Sequence, residues 1–218
     1  MTDSYITVKT SASGEFTTEK SRFIGYACPC ATESEALSFL QSVRDLHHGA
    51  THHCYAYIIG ENAGIMRYSD DGEPGGTAGL PIVEVMKSAK VVNCCVVVVR
   101  YFGGVLLGTG GLVRAYTQGC KTALNAAGIA KMELTSRVLC DVPYSCWDPL
   151  CHAAGCLPVR IENPEFASSI TFTLSVRTRD LASVSDALNR VTGRKIEMIP
   201  GEELFIPWEL EKPAGSGN

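Results

Sequence analysis

The sequence predicts an α+β protein with two domains. In the first half, two glycine-rich loops surround a fully apolar strand, and these loops stop after Ala130. In the second half, the patterns follow the order strand, helix, strand, strand, helix, strand, which is typical of the ferredoxin-like fold. We therefore assign residues 1–134 to an N-terminal α/β domain, 135–210 to a ferredoxin-like C-terminal domain and 211–218 to a disordered tail.

Strands, a helix and a hairpin open the chain. Thr32 and Glu35 have the spacing of a capping box, so a helix should begin directly after Thr32 and end near Gly49. Alternation of apolar and polar residues predicts strands on both sides of this helix. The predicted strands are residues 5–9, 15–20, 22–28, 54–60 and 65–69.

A central block follows at residues 69–118, and it contains both glycine-rich loops. Pro81 suits the first turn of a helix, and the run CCVVVV at 94–99 predicts a strand buried on both faces. A helix over 112–127 has small residues along one side, which would let it lie close to the sheet. The loops provide backbone amides and sharp turns beside a rigid strand, so this block resembles a binding surface in form.

The second half supplies the ferredoxin-like elements. We predict strands at 132–142, 157–162, 169–177 and 195–199, and helices at 144–154 and 180–191. Four arginines of this half, Arg177, Arg179, Arg190 and Arg194, would contact RNA phosphates if they clustered, although a charged face is usually only solvated.

Composition limits the function classes. The 218 residues carry 19 Lys and Arg against 23 Asp and Glu, so the net charge of −4 does not attract nucleic acid or anionic membrane globally. The start MTDSYITVKT lacks a signal sequence, and the apolar runs are far shorter than the roughly 20 residues that span a bilayer. We expect a cytoplasmic protein without membrane contact, and ten cysteines at mainly apolar positions fit free thiols in a reducing compartment.

Four of the five histidines lie in residues 47–54, next to Cys54. Imidazole and thiolate are good zinc ligands, but adjacent histidines on a strand point to opposite faces and no CxxC pair is present. We favour a role at the end of the helix and the entry to the strand, and we predict no metal site.

The second glycine-rich loop does not match the standard nucleotide motifs. Gly103 and Gly108 have P-loop spacing, but Thr109 stands where the phosphate-binding lysine belongs, and Val113 replaces the third glycine of a dinucleotide fingerprint. We therefore predict no cofactor. A helix N-terminus at Leu112 could still receive an anion, with Arg100 and Arg114 nearby. Alternatively, these arginines pair with acids of the first loop.

The first loop carries those acids, Asp70, Asp71 and Glu73. They suit acid–base chemistry or Mg²⁺ binding, but DDGEP is also ordinary turn chemistry, which we favour. No residue pattern requires a nucleophile, and we predict no catalytic residue.

Several motifs are similar to those of the Impact / YigZ family. The resemblance implies an N-terminal domain similar to domain 2 of ribosomal protein S5 and a ferredoxin-like C-terminal domain similar to the last domain of elongation factor G. Eukaryotic relatives bind the activator of a kinase that controls translation, and bacterial members have no settled activity. The motifs are KSRFI at 20–24, HHCYAY at 52–57, DDGEP at 70–74, GTAG at 76–79, VVVVRYFGG at 96–104 and LGTGGLVRAY at 107–116.

These observations predict a non-catalytic regulatory or binding protein linked to translation, which contacts the ribosome, RNA or a translation-associated protein through the central block. The alternative is an enzyme or receptor that binds a small anionic ligand, bearing phosphate or carboxylate, beside the same loops. The candidate binding residues are Arg22, Asp70, Asp71, Glu73, Arg100, Gly103, Gly104, Gly108, Thr109, Gly110, Gly111 and Arg114.

Overall fold

Two mixed units make up the part of the chain that the computed structural model describes, residues 3–208. One unit is formed mainly by residues 4–131 and the other mainly by residues 132–206. The predicted α+β class with two sheets is confirmed. The tail predicted at 211–218 lies outside the described residues.

The first unit contains a five-stranded sheet in the order β2-β3-β6-β4-β5. Every pair of neighbours in it is antiparallel. A short strand, β1, is anchored beside it through a parallel bridge between Ile6 and Val91. The elements are β1 (Ser4–Val8), β2 (Ala12–Thr18), β3 (Ser21–Pro29), α1 (Glu33–Leu46), β4 (His52–Ile59), β5 (Ile65–Ser69), α2 (Gly79–Ser88), β6 (Cys94–Tyr101) and α3 (Gly108–Ala127).

Helices cover both faces of this sheet. Helix α1 packs its buried residues, including Leu40, against one face, whereas α2 and α3 form a second core with the other face. The central strand β6 supplies side chains to both cores, and Cys94 to Val99 are therefore completely buried. This explains why the run is apolar without alternation.

The capping box forms at the start of α1. The Glu35 amide donates to Thr32 Oγ1 at 3.2 Å, and Glu35 Oε2 accepts from the Ala31 amide at 2.8 Å. The first bond satisfies an amide that the helix itself leaves without a partner, and the second fixes the residue before the cap, so local sequence favours the start of α1 here.

The second unit has the ferredoxin-like arrangement. In its sheet β9 lies between β7 and β8, and β10 also pairs with β7. Helices α4 and α5 bury Leu150 and Leu188 in one core with this sheet. The elements are β7 (Ile129–Val142), α4 (Tyr144–Ala154), β8 (Val159–Phe166), β9 (Ile170–Arg177), a short 3₁₀ turn (Thr178–Asp180), α5 (Leu181–Thr192) and β10 (Glu197–Trp208).

Several element boundaries differ from the prediction, and two of the differences have a clear physical reason. Helix α3 begins at Gly108, four residues before Leu112, although four of its first residues have low helix propensity or are glycine. Packing of the following apolar face holds the helix, and extending a formed helix by one turn is inexpensive. Strand β10 continues to Trp208 past Pro200 and Gly201, because an edge strand tolerates proline.

None of the helices within residues 3–208 is long and apolar enough to cross a bilayer. All ten cysteines lie in the described range and carry free thiols, and seven of them are buried.

Close approach of α3 to the sheet depends on two facing glycines. A Cβ added to Gly25 would lie 2.2 Å from the Gly119 carbonyl oxygen, and one added to Gly119 would lie 2.7 Å from Val98. Gly25→Ala should therefore destabilise the first unit by about 2 kcal/mol, because helix and sheet must separate. Urea unfolding measures this. The control Gly75→Ala, which adds a methyl in open space, should change stability by less than about 0.5 kcal/mol, and equal effects of both would contradict the packing argument.

Candidate functional site

A buried carboxylate joins the three parts of the central block. Glu73, in the first glycine-rich loop, is 8% exposed. Its Oε1 accepts from Arg100 Nη1 at 2.7 Å and from the Tyr116 hydroxyl at 2.7 Å. Arg100 ends the buried part of β6 and Tyr116 lies on α3, so one oxygen fixes the loop to both elements. Burial, together with Cys54 and Glu73, raises the pKa of the Tyr116 hydroxyl, which therefore stays protonated and donates.

Arg100 is enclosed on all sides. Its guanidinium lies 5.6 Å from the ring centre of Phe23 and 5.4 Å from that of Phe102. Ser21 Oγ accepts from Arg100 Nη2 at 3.5 Å and from the Gly103 amide at 3.2 Å, so the same hydroxyl ties the second loop to β3. Arg100 therefore has a structural role, since its bonds to Glu73 and Ser21 help to fix the two loops. This is the ion-pairing alternative that the sequence left open.

Asp70 caps helix α2 from outside the helix. Its Oδ1 accepts from the amides of Ala78 and Gly79 at 2.9 and 2.8 Å, and its Oδ2 accepts from the Gly76 amide at 2.8 Å. A carboxylate at this end is also favoured by the helix dipole. Both oxygens are used, which supports the turn interpretation of DDGEP over acid–base chemistry.

Asp71 connects the first loop to strand β4 and to helix α1. Its Oδ2 accepts from the His53 amide at 2.7 Å, and its Oδ1 lies 3.4 Å from Arg44 Nη2. The His52 ring donates from Nδ1 to the Asp71 carbonyl at 2.8 Å. Within residues 3–208, no three His, Cys, Asp or Glu side chains are placed to hold a metal ion.

The histidines lie at the helix end and the strand entry. His47 is the C-terminal cap of α1, and His52 and His53 open β4 with side chains on opposite faces. His47 also lies between two tyrosines, with Nε2 2.6 Å from the Tyr26 hydroxyl and Nδ1 2.8 Å from the Tyr101 hydroxyl. Burial, with smaller effects of His53 and Arg22, lowers the pKa of His47.

Cys54 is unsuited to nucleophilic chemistry. Its side chain is completely buried, and the thiol donates to the Asp70 carbonyl at 3.0 Å. Burial raises the pKa of this thiol far above neutrality, so the thiolate is not populated. His53 lies on the other face of β4 and is not aligned to accept its proton.

The second glycine-rich loop and the first turn of α3, residues 102–111, contain no buried residue, and we call them the loop surface. Leu106 is 86% exposed and Phe102 is 44% exposed. Gly103 anchors the loop, since a Cβ there would lie 2.0 Å from the Lys20 carbonyl oxygen. The loop is thus held at its base and open at its tip.

The start of α3 presents amides and one cation. No side chain of its N-cap residue, Leu107, accepts from the first turn, and the turn contains no acid. Arg114 is exposed, and its Nη1 lies 3.8 Å from the position of a Cβ on Gly110, so the guanidinium reaches over this turn. Arg114 forms no ion pair within the described part of the chain. Unpaired amides beside a cation favour a negatively charged group.

The predicted site residues thus separate into two groups. Glu73 and Arg100 are buried, and Asp70 and Asp71 hold turns, whereas Arg22 pairs on the surface with Glu15. Gly104, Gly108, Thr109, Gly110, Gly111 and Arg114 lie on or beside the loop surface. Sequence reasoning missed Leu106, although a leucine pair within a glycine-rich loop was a visible signal.

The arginines of the second unit do not form one basic cluster. Arg177 and Arg179 both pair with the buried Glu133, at 2.5 and 3.0 Å. Arg190 and Arg194 instead line a cavity at the C-terminal end of α5. The structure therefore gives no support to a shared RNA contact of these four residues.

Comparison with known proteins relates the chain to one family. Residues 19–124 match the family model described as the Impact N-terminal domain. The chain is 35% identical over 206 residues to the IMPACT family member YvyE of Bacillus subtilis (strain 168), covering 94% of this chain and 95% of that protein. It is 45% identical over 108 residues to the IMPACT family member YigZ of Escherichia coli (strain K12), covering 49% and 53% of the two chains.

A solved structure described as a hypothetical protein has a similar fold. The TM-score is 0.60 at 28% identity, and the match covers 93% of this chain and 99% of that one. The similarity therefore extends through both units.

Removing the charge of Glu73 should destabilise the protein strongly. Glu73→Gln keeps the shape but leaves the Arg100 charge buried without a counter-charge, at a cost of about 3 kcal/mol. Glu84→Gln breaks an exposed pair with Lys87 and should cost less than about 1 kcal/mol. Urea unfolding of both variants compares the two costs, and a loss below about 1 kcal/mol for Glu73→Gln would show that the pair is not structurally important.

Stability should fall as the pH decreases below the ordinary His value of 6.5, because the pKa of His47 is lowered in the folded state. The unfolded chain then binds a proton that folded His47 does not, so unfolding is favoured. His47→Asn should reduce this pH dependence. NMR titration of the ring measures the pKa of His47, and urea unfolding at pH 5 to 8 measures the pH dependence of stability. A His47 pKa at or above 6.5 would overturn the expectation.

Proposed function

Because the chain belongs to the Impact family, we propose that it is a non-catalytic binding protein linked to translation, and that the loop surface contacts its partner. The partner is the ribosome, with RNA phosphate or a ribosome-associated protein at the point of contact. We further propose that the protein works in the cytoplasm, where its ten thiols would remain reduced.

The observation that carries this proposal is that the central block contains two kinds of residue, some held in structural bonds and others exposed to solvent. Three charged residues are of types that often act in catalysis, namely Asp70, Glu73 and Arg100. Glu73 and Arg100 bond to each other, and Asp70 bonds to backbone amides. The loop surface, in contrast, combines an exposed leucine and a helix N-terminus on a fixed base, and Arg114 lies beside it. A rigid base with an exposed apolar and cationic tip suits recognition of a macromolecule.

The protonation states also favour binding over catalysis. Cys54 and Tyr116 have raised pKa values because they are buried, so neither supplies a thiolate or phenolate at neutral pH. The carboxylate of Glu73 already accepts two short hydrogen bonds. General acid–base chemistry needs a group that reaches a substrate and exchanges its proton, and these groups do neither.

Co-sedimentation with purified ribosomes tests the proposal at low and moderate salt. The variant Leu106→Asp alters the loop surface and Arg114→Glu alters the cation beside it. Both positions are exposed, so both variants should fold normally. Each should weaken binding about tenfold, because one loses apolar contact and the other reverses a charge beside the anion-binding amides. Arg100→Ala is avoided, since it would unfold the block rather than alter its surface.

Two variants of the same chemistry serve as controls. Leu37→Asp changes an exposed leucine of α1, and Arg67→Glu reverses an exposed arginine of β5. Both should bind ribosomes like the wild type. The proposal would be refuted if the folded wild type failed to sediment with ribosomes at both salt concentrations. Equal losses of binding in all four variants would also refute it.

The uncapped start of α3 with Arg114 also favours a second candidate, a receptor for a small phosphate- or carboxylate-bearing molecule. A thermal-shift series with inorganic phosphate, nucleotides and carboxylic acids separates the two candidates. Stabilisation that Arg114→Glu abolishes, without ribosome binding, would favour the receptor, since a ligand at 100 times its Kd stabilises by about 2.7 kcal/mol.

A further inference from the structure

A groove of about 600 Å³ runs between α2 and α3 on the side of these helices that faces away from the sheet. We call it the α2–α3 groove. Most of the side chains along it are apolar, and they come from both helices. Its main apolar residues are Leu80, Pro81, Val85, Val113, Leu124 and Ile129.

Part of this lining belongs to the core beneath the helices, since Leu124 is a buried core residue and Val85 and Ile129 pack against that core. Helix α2 already buries Ile82 and Met86 toward the sheet, and α3 buries Tyr116. In the groove, Leu80 remains 41% exposed and Val113 remains 37% exposed. One large apolar side chain of each helix, Leu80 of α2 and Val113 of α3, therefore remains exposed in the groove. A concave, mainly apolar groove between two helices is a form that binds the apolar face of a partner helix.

The two helices that form the groove carry more cations than acids, although one acid, Glu84, lines the groove together with Lys121. Helices α2 and α3 contain a single acid, Glu84, and it pairs with Lys87 at 3.1 Å. Arg114 and Lys121 follow two turns apart along α3 and form no ion pair within residues 3–208. The whole chain is acidic, with a net charge of −4, so this local excess of cations complements an acidic partner.

The walls of the groove limit the shape of its occupant. The lining extends on α3 from Val113 to Asn125, which corresponds to roughly 18 Å of helix. Both walls are helices whose backbone groups bond internally, so an extended peptide would find no strand edge to pair with and would leave its own amides unsatisfied. A helix satisfies its own backbone and inserts only side chains. Nucleic acid is disfavoured because the floor is apolar.

We propose that the α2–α3 groove binds an amphipathic helix of about three turns from a partner protein, with apolar residues at i, i+3 or i+4, and i+7, and acidic residues on the flank beside α3. This goes beyond the function proposed above, because it assigns a second surface with a different ligand and does not depend on ribosome binding.

Selection from a displayed library of random 16-residue peptides against the full chain tests this proposal. We expect the enriched peptides to share the helical apolar spacing and an excess of Asp and Glu. An enriched peptide, synthesised and labelled, is then titrated by fluorescence anisotropy. Leu80→Asp and Lys121→Glu should each weaken its binding about tenfold. Leu80 lies in the first turn of α2, where an acid suits the helix dipole, so this variant should fold.

The matched controls Leu37→Asp and Arg67→Glu change the same residue chemistry elsewhere on the unit, and Leu106→Asp changes the loop surface. All three should bind the peptide like the wild type, so a failure of the ribosome proposal is distinguishable from a failure here. Enriched peptides without acidic excess or helical spacing would overturn the proposal, as would peptides that bind Leu80→Asp unchanged. Self-association of the wild type that Leu80→Asp abolishes would also overturn it, since the occupant would then be a second copy.

Discussion

The buried ion pair between Glu73 and Arg100 is the constraint on which the central block depends. A carboxylate and a guanidinium removed from water are tolerable only when each has its counter-charge and further hydrogen bonds. Tyr116 and Ser21 supply part of these bonds, and they come from α3 and β3. The pair therefore holds the first loop, the central strand and the long helix in one arrangement, and it leaves little freedom for either residue to act on a ligand.

Within the central block, some residues therefore hold the structure together and others are exposed for binding. The acids of the first loop point inward or cap α2, so that loop functions as a turn. The second loop is fixed at Gly103 but presents Leu106 and the start of α3 to solvent. The α2–α3 groove lies along the same helices on another side. Rigid elements that carry exposed surfaces of this kind position binding residues without a cost in ordering them.

Much of the fold could be predicted because its signals are local. The capping box at Thr32, the apolar run of β6 and the periodicity that gives the order of elements in the second half are each properties of neighbouring residues. The start of α3 was predicted four residues late because glycines weaken the local helical signal, while the packing that compensates comes from distant strands. The candidate site was predicted less well. Its residues were selected by type and spacing, and neither property reveals which charges are buried.

The sequence by itself determined the α+β class, the family resemblance and the positions where loops must turn tightly, because propensity and periodicity are properties of adjacent residues. Only the tertiary structure decided that Arg100 pairs with Glu73 while Arg114 remains exposed. The two arginines flank the same loop and look equivalent in sequence. Burial distinguishes them, since a charge placed in the core must find its partner there, whereas a charge left in water can remain available to a ligand.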